Sequence, residues 1–157
     1  MRDFDRELNS LLVDNYHLTL QVEETQKKNT RSKLSFRDRN ALEFIEAAEG
    51  GCRISDIAEF LRISKPSTTS LIKKLEGLGF VEKVSDKADE RTTYARITKR
   101  GKLMCAYQRQ YRNNMTEYVT KNMTEQEQQV LCEGIRKLNE FFEESIELTE
   151  RIAASKK

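Results

Sequence analysis

The residues best suited to binding chemistry in this sequence lie between positions 64 and 74, which read SKPSTTSLIKK. Serine and threonine side chains are short and polar, so a helix that carries them can bring its backbone close to base edges. Neighbouring lysines can contact phosphates, and a serine-capped helix N-terminus can bind a phosphate. The pattern predicts a DNA-reading helix, with an ordinary amphipathic surface helix as the alternative. The candidate contact residues are Ser64, Lys65, Pro66, Ser67, Thr69, Ser70, Lys73 and Lys74.

A second group of charged residues follows at positions 86–91, which read DKADER. The segment joins two strand-like stretches, 80–84 and 93–97, and is predicted to form the tip of a hairpin. Arginine at such a tip suits a narrow minor groove, and a nearby aspartate could orient the guanidinium through a bidentate contact. Lys87, Asp89 and Arg91 are therefore further candidate DNA contacts. A solvated charged turn is the alternative.

Positive charge is concentrated in the middle of the chain. The excess of Lys and Arg over Asp and Glu is −3 for residues 1–61, +8 for residues 62–112 and −3 for residues 113–157. A basic middle between acidic ends indicates a local site for a polyanion. The 157 residues contain one proline and six glycines, which favours a helix-rich domain over an all-β one. No apolar run approaches a membrane span and the first residues do not resemble a secretory signal, so we expect a cytoplasmic protein without membrane contact.

The sequence offers little for catalysis or metal binding. It contains one histidine, His17, and three widely separated cysteines, Cys52, Cys105 and Cys132. No cluster has metal-ligand spacing, no phosphate-binding glycine loop occurs, and nothing obvious orients the histidine as a base. We therefore expect no catalytic residue, no metal site and no cofactor.

Local signals predict the elements that position the candidate residues. Ser35 can cap a helix with Asp38, Ser55 is expected to cap a short second helix, and Ser64 to cap the DNA-reading helix with Pro66 in its first turn. The first of these helices is expected to stop at Gly50-Gly51, before a short strand over 52–54, and the reading helix at Gly79. Residues 35–98 are thus predicted to form a winged helix-turn-helix.

Long helices flank this region. The first, from about Asp3 to Lys27, carries an apolar stripe that includes Phe4, Leu8, Leu11 and Leu18. Thr98 is expected to cap a fifth helix, and a Thr124–Glu127 capping box a sixth. Neither the first nor the sixth helix can bury its own apolar stripe. We therefore expect these two helices to pair with each other and with those of a second copy of the chain. The fold class is therefore mainly α with a small β-hairpin, a single domain over 1–157 with dimerisation helices at 1–30 and 99–157.

These residues resemble the MarR family of bacterial transcription regulators. The likeness rests on LRISKPS at 61–67, GFVEK at 79–83, DER at 89–91 and ITKRG at 97–101, and the six-helix plan extends it over nearly the whole chain. The resemblance implies a homodimer formed by the first, fifth and sixth helices. It also implies a double-stranded, pseudo-palindromic DNA operator. Arginines common in the family's recognition helix are replaced here by Ser70 and Lys74.

Within the family, Leu8, Asn9 and Leu12 of the first helix, TTSL at 68–71 and MTE at 123–125 resemble the FabT-type repressors of fatty-acid synthesis. That likeness implies an effector in the form of an acyl chain on acyl carrier protein. Family members usually hold effectors between the dimer helices and the winged helix. The aromatic residues that could line such a site, or could simply be core, are Tyr16, His17, Phe44, Tyr107 and Tyr111.

Three alternatives remain at this point. The cysteines raise thiol-based redox control, although oxidant sensors of the family carry the reactive cysteine in the first helix and this one has none. A small phenolic ligand could take the place of acyl carrier protein. A winged helix could also serve as a protein-interaction scaffold without DNA binding, but such domains usually lack clustered lysines on the reading helix.

Overall fold

The computed structural model describes residues 2–29, 34–85 and 93–155. These residues form six helices and three strands, which confirms a mainly α fold with a small antiparallel sheet. The chain divides into two compact units within the fifth helix, after Arg109. In chain order the elements are α1 (Asp3–Asn29), α2 (Phe36–Ala47), β1 (Cys52–Arg53), α3 (Ile54–Phe60), α4 (Lys65–Gly77), β2 (Val81–Ser85), β3 (Thr93–Ile97), α5 (Lys99–Thr120) and α6 (Glu125–Ser155).

Side-chain caps set most helix starts, as predicted. Ser35 and Asp38 form a complete capping box at α2, in which the Asp38 amide donates to Ser35 Oγ at 3.2 Å. The Gly101 amide donates to Thr98 Oγ1 at 3.1 Å in the first turn of α5. Thr124 and Glu127 form the reciprocal pair at α6. These bonds satisfy amides that have no partner within their helices.

The predicted cap at Ser55 is wrong. Helix α3 begins at Ile54, its N-cap is Arg53, and no side chain caps it. The reason is the preceding strand: Cys52 pairs with Ala95 and Arg53 with Tyr94, so the sheet holds the backbone extended up to Arg53 and the helix starts at once. Helix α2 likewise ends at Ala47, three residues before the expected stop at Gly50.

The described sheet has three strands, because β1 joins the hairpin formed by β2 and β3. Its order is β1-β3-β2, and both pairings are antiparallel. In the second pairing, Val81 lies opposite Ile97 and Ser85 opposite Thr93. The strands thus lead directly into and out of residues 86–92, the predicted wing tip, which lies outside the described residues.

The core lies between α2, α3, α4 and the sheet. Its largest fully buried apolar side chains are Leu42, Ile45, Ile57, Ile72, Leu75 and Phe80. Gly101 at the start of α5 is buried because it faces the backbone of Phe80: a Cβ there would lie 2.2 Å from the Phe80 carbonyl oxygen. A glycine therefore lets α5 approach the strand that follows α4.

Two turns set the direction of α4. At its start, Arg62 adopts a left-handed φ of 51°, and the Ile63 amide donates to the Ala58 carbonyl at 3.0 Å. At its end, Gly79 has a φ of 74°, and the Phe80 amide donates to the Leu75 carbonyl at 2.9 Å. Both bonds follow the Schellman pattern that terminates helices. Arg62 takes the conformation that favours glycine, which costs about 1–2 kcal/mol for an L-residue.

Helices α1, α5 and α6 each carry apolar side chains that the single chain leaves exposed. Examples are Leu11 on α1, Tyr118 on α5 and Phe142 on α6, with exposed fractions of 58%, 77% and 52%. Within residues 2–29, 34–85 and 93–155, no helix is long and apolar enough to cross a membrane.

Candidate nucleic-acid interface

The N-terminus of α4 has a rigid, hydroxyl-rich first turn. Ser64 is the N-cap, as predicted, and its Oγ accepts the Ser67 amide at 3.4 Å. The hydroxyls of Ser64 and Ser67 lie 2.9 Å apart in a hydrogen bond. Pro66 stands in the first turn, where its missing N–H leaves no bond unmade. The turn presents two hydroxyls and the positive end of the helix dipole to the same side.

The two faces of α4 differ sharply. Thr68, Leu71, Ile72 and Leu75 are buried, and Thr68 Oγ1 donates to the Ser64 carbonyl at 3.1 Å. The outward face is exposed and consists of the sequence-predicted residues Lys65, Pro66, Ser67, Thr69, Ser70 and Lys73. Small side chains over two turns, with a lysine at each end, can lie against base edges while the lysines contact phosphates.

Lys74 differs from the other lysines of α4 because it is paired within the protein. Its Nζ lies 2.5 Å from Asp38 Oδ2, while 43% of its side chain stays exposed. The Asp38 carboxylate is 7% exposed and also accepts the Ser35 amide at 2.7 Å. Sequence reasoning identified both residues, Asp38 as a cap and Lys74 as a phosphate contact, but 36 positions separate them and no local pattern indicates the pair.

Of the predicted wing residues, Lys87, Asp89 and Arg91 lie outside the described residues. The sheet that carries this segment presents two cations that sequence reasoning missed, Arg53 on β1 and Arg96 on β3. Arg53 Nε donates to the Tyr94 hydroxyl at 3.2 Å, and Arg96 Nε donates to the Gly50 carbonyl at 3.2 Å. For Arg96 the available signal was strand alternation, since Ala95 is buried and the adjacent Arg96 is exposed.

The five expected effector residues lie on three helices, α1, α2 and α5. Tyr16 and His17 on α1 have ring centroids 6.1 Å apart, and Phe44 on α2 stacks on Phe60 of α3 at 4.2 Å. Tyr107 and Tyr111 are exposed on α5. An effector site at these residues stays a prediction.

A surface hollow of about 540 Å³ lies instead beside the reading helix, between the end of α1, the start of α2 and the first half of α4. Glu23, Phe36, Asp38 and Ser67 belong to its wall. Among the described residues that line it, none is one of the five expected effector residues.

Two of the three cysteines are placed unfavourably for redox chemistry. Cys52 and Cys105 are buried and Cys132 is exposed, all three with free thiols. Burial raises the pKa of the Cys52 thiol, and burial together with the nearby Glu46 raises the pKa of Cys105 to about 12. A protonated thiol is a poor nucleophile toward peroxide. In the described part of the chain, no three His, Cys, Asp or Glu side chains gather closely enough to hold a metal ion.

Comparison with known proteins supports the resemblance to the MarR family. The MarR family model matches residues 32–92, which span α2 through the segment between β2 and β3. Over these residues the chain is similar to the MarR family. No curated protein sequence matches it at a significant level.

Solved structures extend the likeness to the flanking helices. The chain is similar to Streptococcus pneumoniae FabT in complex with DNA, with 25% identity, a TM-score of 0.76, and coverage of 90% of this chain and 99% of that one. A MarR protein from Peptoclostridium difficile is 23% identical, with a TM-score of 0.62 and coverage of 92% and 90%. A complex of S. aureus MepR with DNA shows the same fold at 15% identity and a TM-score of 0.63, with coverage of 84% and 95%. The chain accordingly has the MarR winged-helix fold.

Proposed function

We propose that this protein is a repressor that binds, as a homodimer, a pseudo-palindromic DNA operator. The observation that carries the proposal is the outward face of α4, on which Lys65, Ser67, Thr69, Ser70 and Lys73 are all exposed beside a capped helix N-terminus. Such a helix enters the major groove with its N-terminal residues at the bases. The DNA complex of the similar S. pneumoniae FabT supports the same role for the fold.

The homodimer is proposed from the exposed apolar stripes of α1, α5 and α6. Exposed apolar side chains that recur along a helix mark a candidate interaction site. A second copy would bury it and would place two α4 helices in successive major grooves, about 34 Å apart. In this proposal residues 1–30 and 99–157 form the dimer interface, and residues 35–98 form the DNA-binding region with Lys87, Asp89 and Arg91 at the minor groove.

We further propose that the regulated genes belong to fatty-acid synthesis and that the effector is an acyl chain on acyl carrier protein. The support is the resemblance to FabT-type repressors in sequence, together with the structural similarity to S. pneumoniae FabT over 90% of the chain. Burial and a raised pKa count against thiol control at Cys52 and Cys105.

The first experiment selects genomic fragments with the purified full chain and then measures affinity over a salt series. We expect one palindromic site and a steep linear fall of log affinity with log salt, with a slope of about −0.9 for each neutralised phosphate. A protein-interaction scaffold would select no sequence. Fatty-acid synthesis genes beside the site, and altered affinity when acyl carrier protein is added, would support the effector proposal.

A pair of variants tests the face itself. Lys73→Ala removes an exposed cation from α4, whereas Lys137→Ala removes one from α6, where Lys137 lies 3.5 Å from Glu133. We expect Lys73→Ala to weaken operator binding and to reduce the salt slope by about 1 per protomer, and Lys137→Ala to change neither. Equal effects of the two variants would refute the assignment of this face.

A further inference from the structure

The end of α4 is held by an ion pair that the DNA-contact role of the helix does not explain. Asp38 Oδ2 accepts from Lys74 Nζ at 2.5 Å and from the Ser35 amide at 2.7 Å, so one nearly buried carboxylate joins the first turn of α2 to the last turn of α4. Burial weakens solvent screening, so the attraction is stronger than that of an exposed pair. We call Asp38 and Lys74 the α2–α4 clamp.

The α2 end of the clamp is itself fixed. Glu23 Oε1 on α1 accepts the Phe36 amide at 3.0 Å and lies 3.0 Å from Lys27 Nζ. Ser35 and Asp38 close the capping box on the next residues of the chain. The Asp38 carboxylate, which binds Lys74, therefore lies in a turn where the backbone amides of Ser35 and Phe36 are both hydrogen-bonded to carboxylates.

The clamp can orient α4 in a way that its apolar face cannot. Thr68, Leu71, Ile72 and Leu75 keep the helix against the core, but apolar packing has little directional preference. A hydrogen-bonded ion pair is directional and resists rotation of the helix about its axis. Lys74 lies four to seven residues after Ser67–Ser70, about 6–10 Å along the helix, so a rotation at the clamp displaces the base-reading side chains.

We propose that Asp38 is a positioning residue for DNA recognition, which holds α4 through Lys74 in the orientation that reads the operator. The inference rests on the proposed function and assigns Lys74 to internal positioning, leaving Lys65 and Lys73 as the phosphate-contacting cations of α4. Lys74 was expected from the sequence to contact phosphate, and the two roles make different predictions.

The positioning role and a purely electrostatic role predict opposite changes in operator affinity for Asp38→Asn. The change removes a negative charge near the DNA face, so charge alone strengthens binding to every DNA. Loss of positioning instead weakens operator binding about tenfold, the size of one lost base contact, and leaves non-operator binding unchanged or slightly tighter. Asp56→Asn is the matched control, because Asp56 is an exposed acid in the first turn of α3 and its loss changes the charge equally.

Lys74 supplies the second arm. Lys74→Gln leaves the Ser35–Asp38 capping box intact and is expected to lower operator affinity about tenfold without changing the salt slope. Lys74→Arg keeps a cation for Asp38 and is expected to restore affinity. All affinities are measured on dimers that circular dichroism shows to be folded, against the selected operator and a scrambled duplex of equal length.

The possible outcomes are distinct. A wild-type chain that selects no operator contradicts the proposed function. If the wild type binds but Asp38→Asn shifts operator and scrambled affinities in parallel with Asp56→Asn, the positioning role is wrong. A Lys74→Gln variant whose salt slope falls by about 1 per protomer also contradicts it, because Lys74 is then a phosphate contact. If Asp38→Asn does not fold, the Lys74→Gln and Lys74→Arg pair decides alone.

Discussion

The close approach of Gly101 to the strand that follows α4 makes the sharpest stability prediction. A Cβ at this position would lie 2.2 Å from the Phe80 carbonyl oxygen and 2.5 Å from Ile97 Cδ1, whereas ordinary contacts begin at 3.4 Å. Gly101→Ala therefore forces α5 and the Phe80 backbone apart by roughly 1.2 Å, the difference between the 2.2 Å and 3.4 Å separations. The Phe80 carbonyl cannot yield freely, because it accepts the Thr98 amide at 3.0 Å and the Thr98 hydroxyl at 3.1 Å.

The expected magnitude follows from three contributions. Overpacking of a tight core costs about 1–3 kcal/mol, and a weakened Thr98 cap costs about 1 kcal/mol. The better helix propensity of alanine offsets about 1 kcal/mol. The net loss of unfolding free energy is about 2 kcal/mol, which lowers Tm by about 4–8 °C for a chain of this length.

The assay is thermal unfolding followed by circular dichroism, at equal protomer concentration because dimerisation makes Tm depend on concentration. Gly77→Ala is the control: Gly77 ends α4, and an added methyl group there would meet no neighbouring side chain or strand within 4 Å. That variant is expected to gain about 0.5–1 kcal/mol. Equal stability of Gly101→Ala and Gly77→Ala would refute the close-approach explanation.

Three further predictions concern a strained turn, a buried thiol and a titrating carboxylate. Arg62→Gly relieves a φ of 51° and should raise unfolding free energy by about 0.5–1 kcal/mol in urea titrations, whereas an equal gain in Arg62→Ala would contradict the backbone explanation. At pH 7, a thiol reagent should label the exposed Cys132 rapidly and Cys105, with a pKa raised to about 12, only on unfolding; early labelling of Cys105 by mass spectrometry would oppose this. The hydrogen bond from the Phe36 amide lowers the pKa of Glu23 in the folded state. The ionised Glu23 therefore stabilises the fold at pH values above its unfolded-state pKa, and this stabilisation is lost as the pH falls through its folded-state pKa. Glu23→Gln should therefore be less stable than wild type at pH 7, with the difference closing below about pH 4, and a gap that stays constant with pH would count against that contact.

The recognition helix shows how far local signals reach. Ser64 as the N-cap and Pro66 in the first turn follow from residue types within one turn, and the structure agrees with both. The capping boxes at α2 and α6 were predictable for the same reason, since a cap involves a side chain and an amide three residues apart. The prediction that Ser55 caps α3 was wrong, although it also used only neighbouring residues. The helix starts earlier because Arg53 pairs with Tyr94, which is 41 positions away in the sequence.

The composition and periodicity of this chain specify its helices, its basic reading face and its family resemblance, because these depend on neighbours along the backbone. Tertiary structure alone brings Asp38 to Lys74, places β1 against β3, and presses Gly101 onto the Phe80 carbonyl. These contacts arise when packing of the apolar faces brings distant segments together, and no pattern within one helix or strand encodes them. The proposed DNA-reading surface is therefore visible in the sequence, whereas the contacts that hold it in place are not.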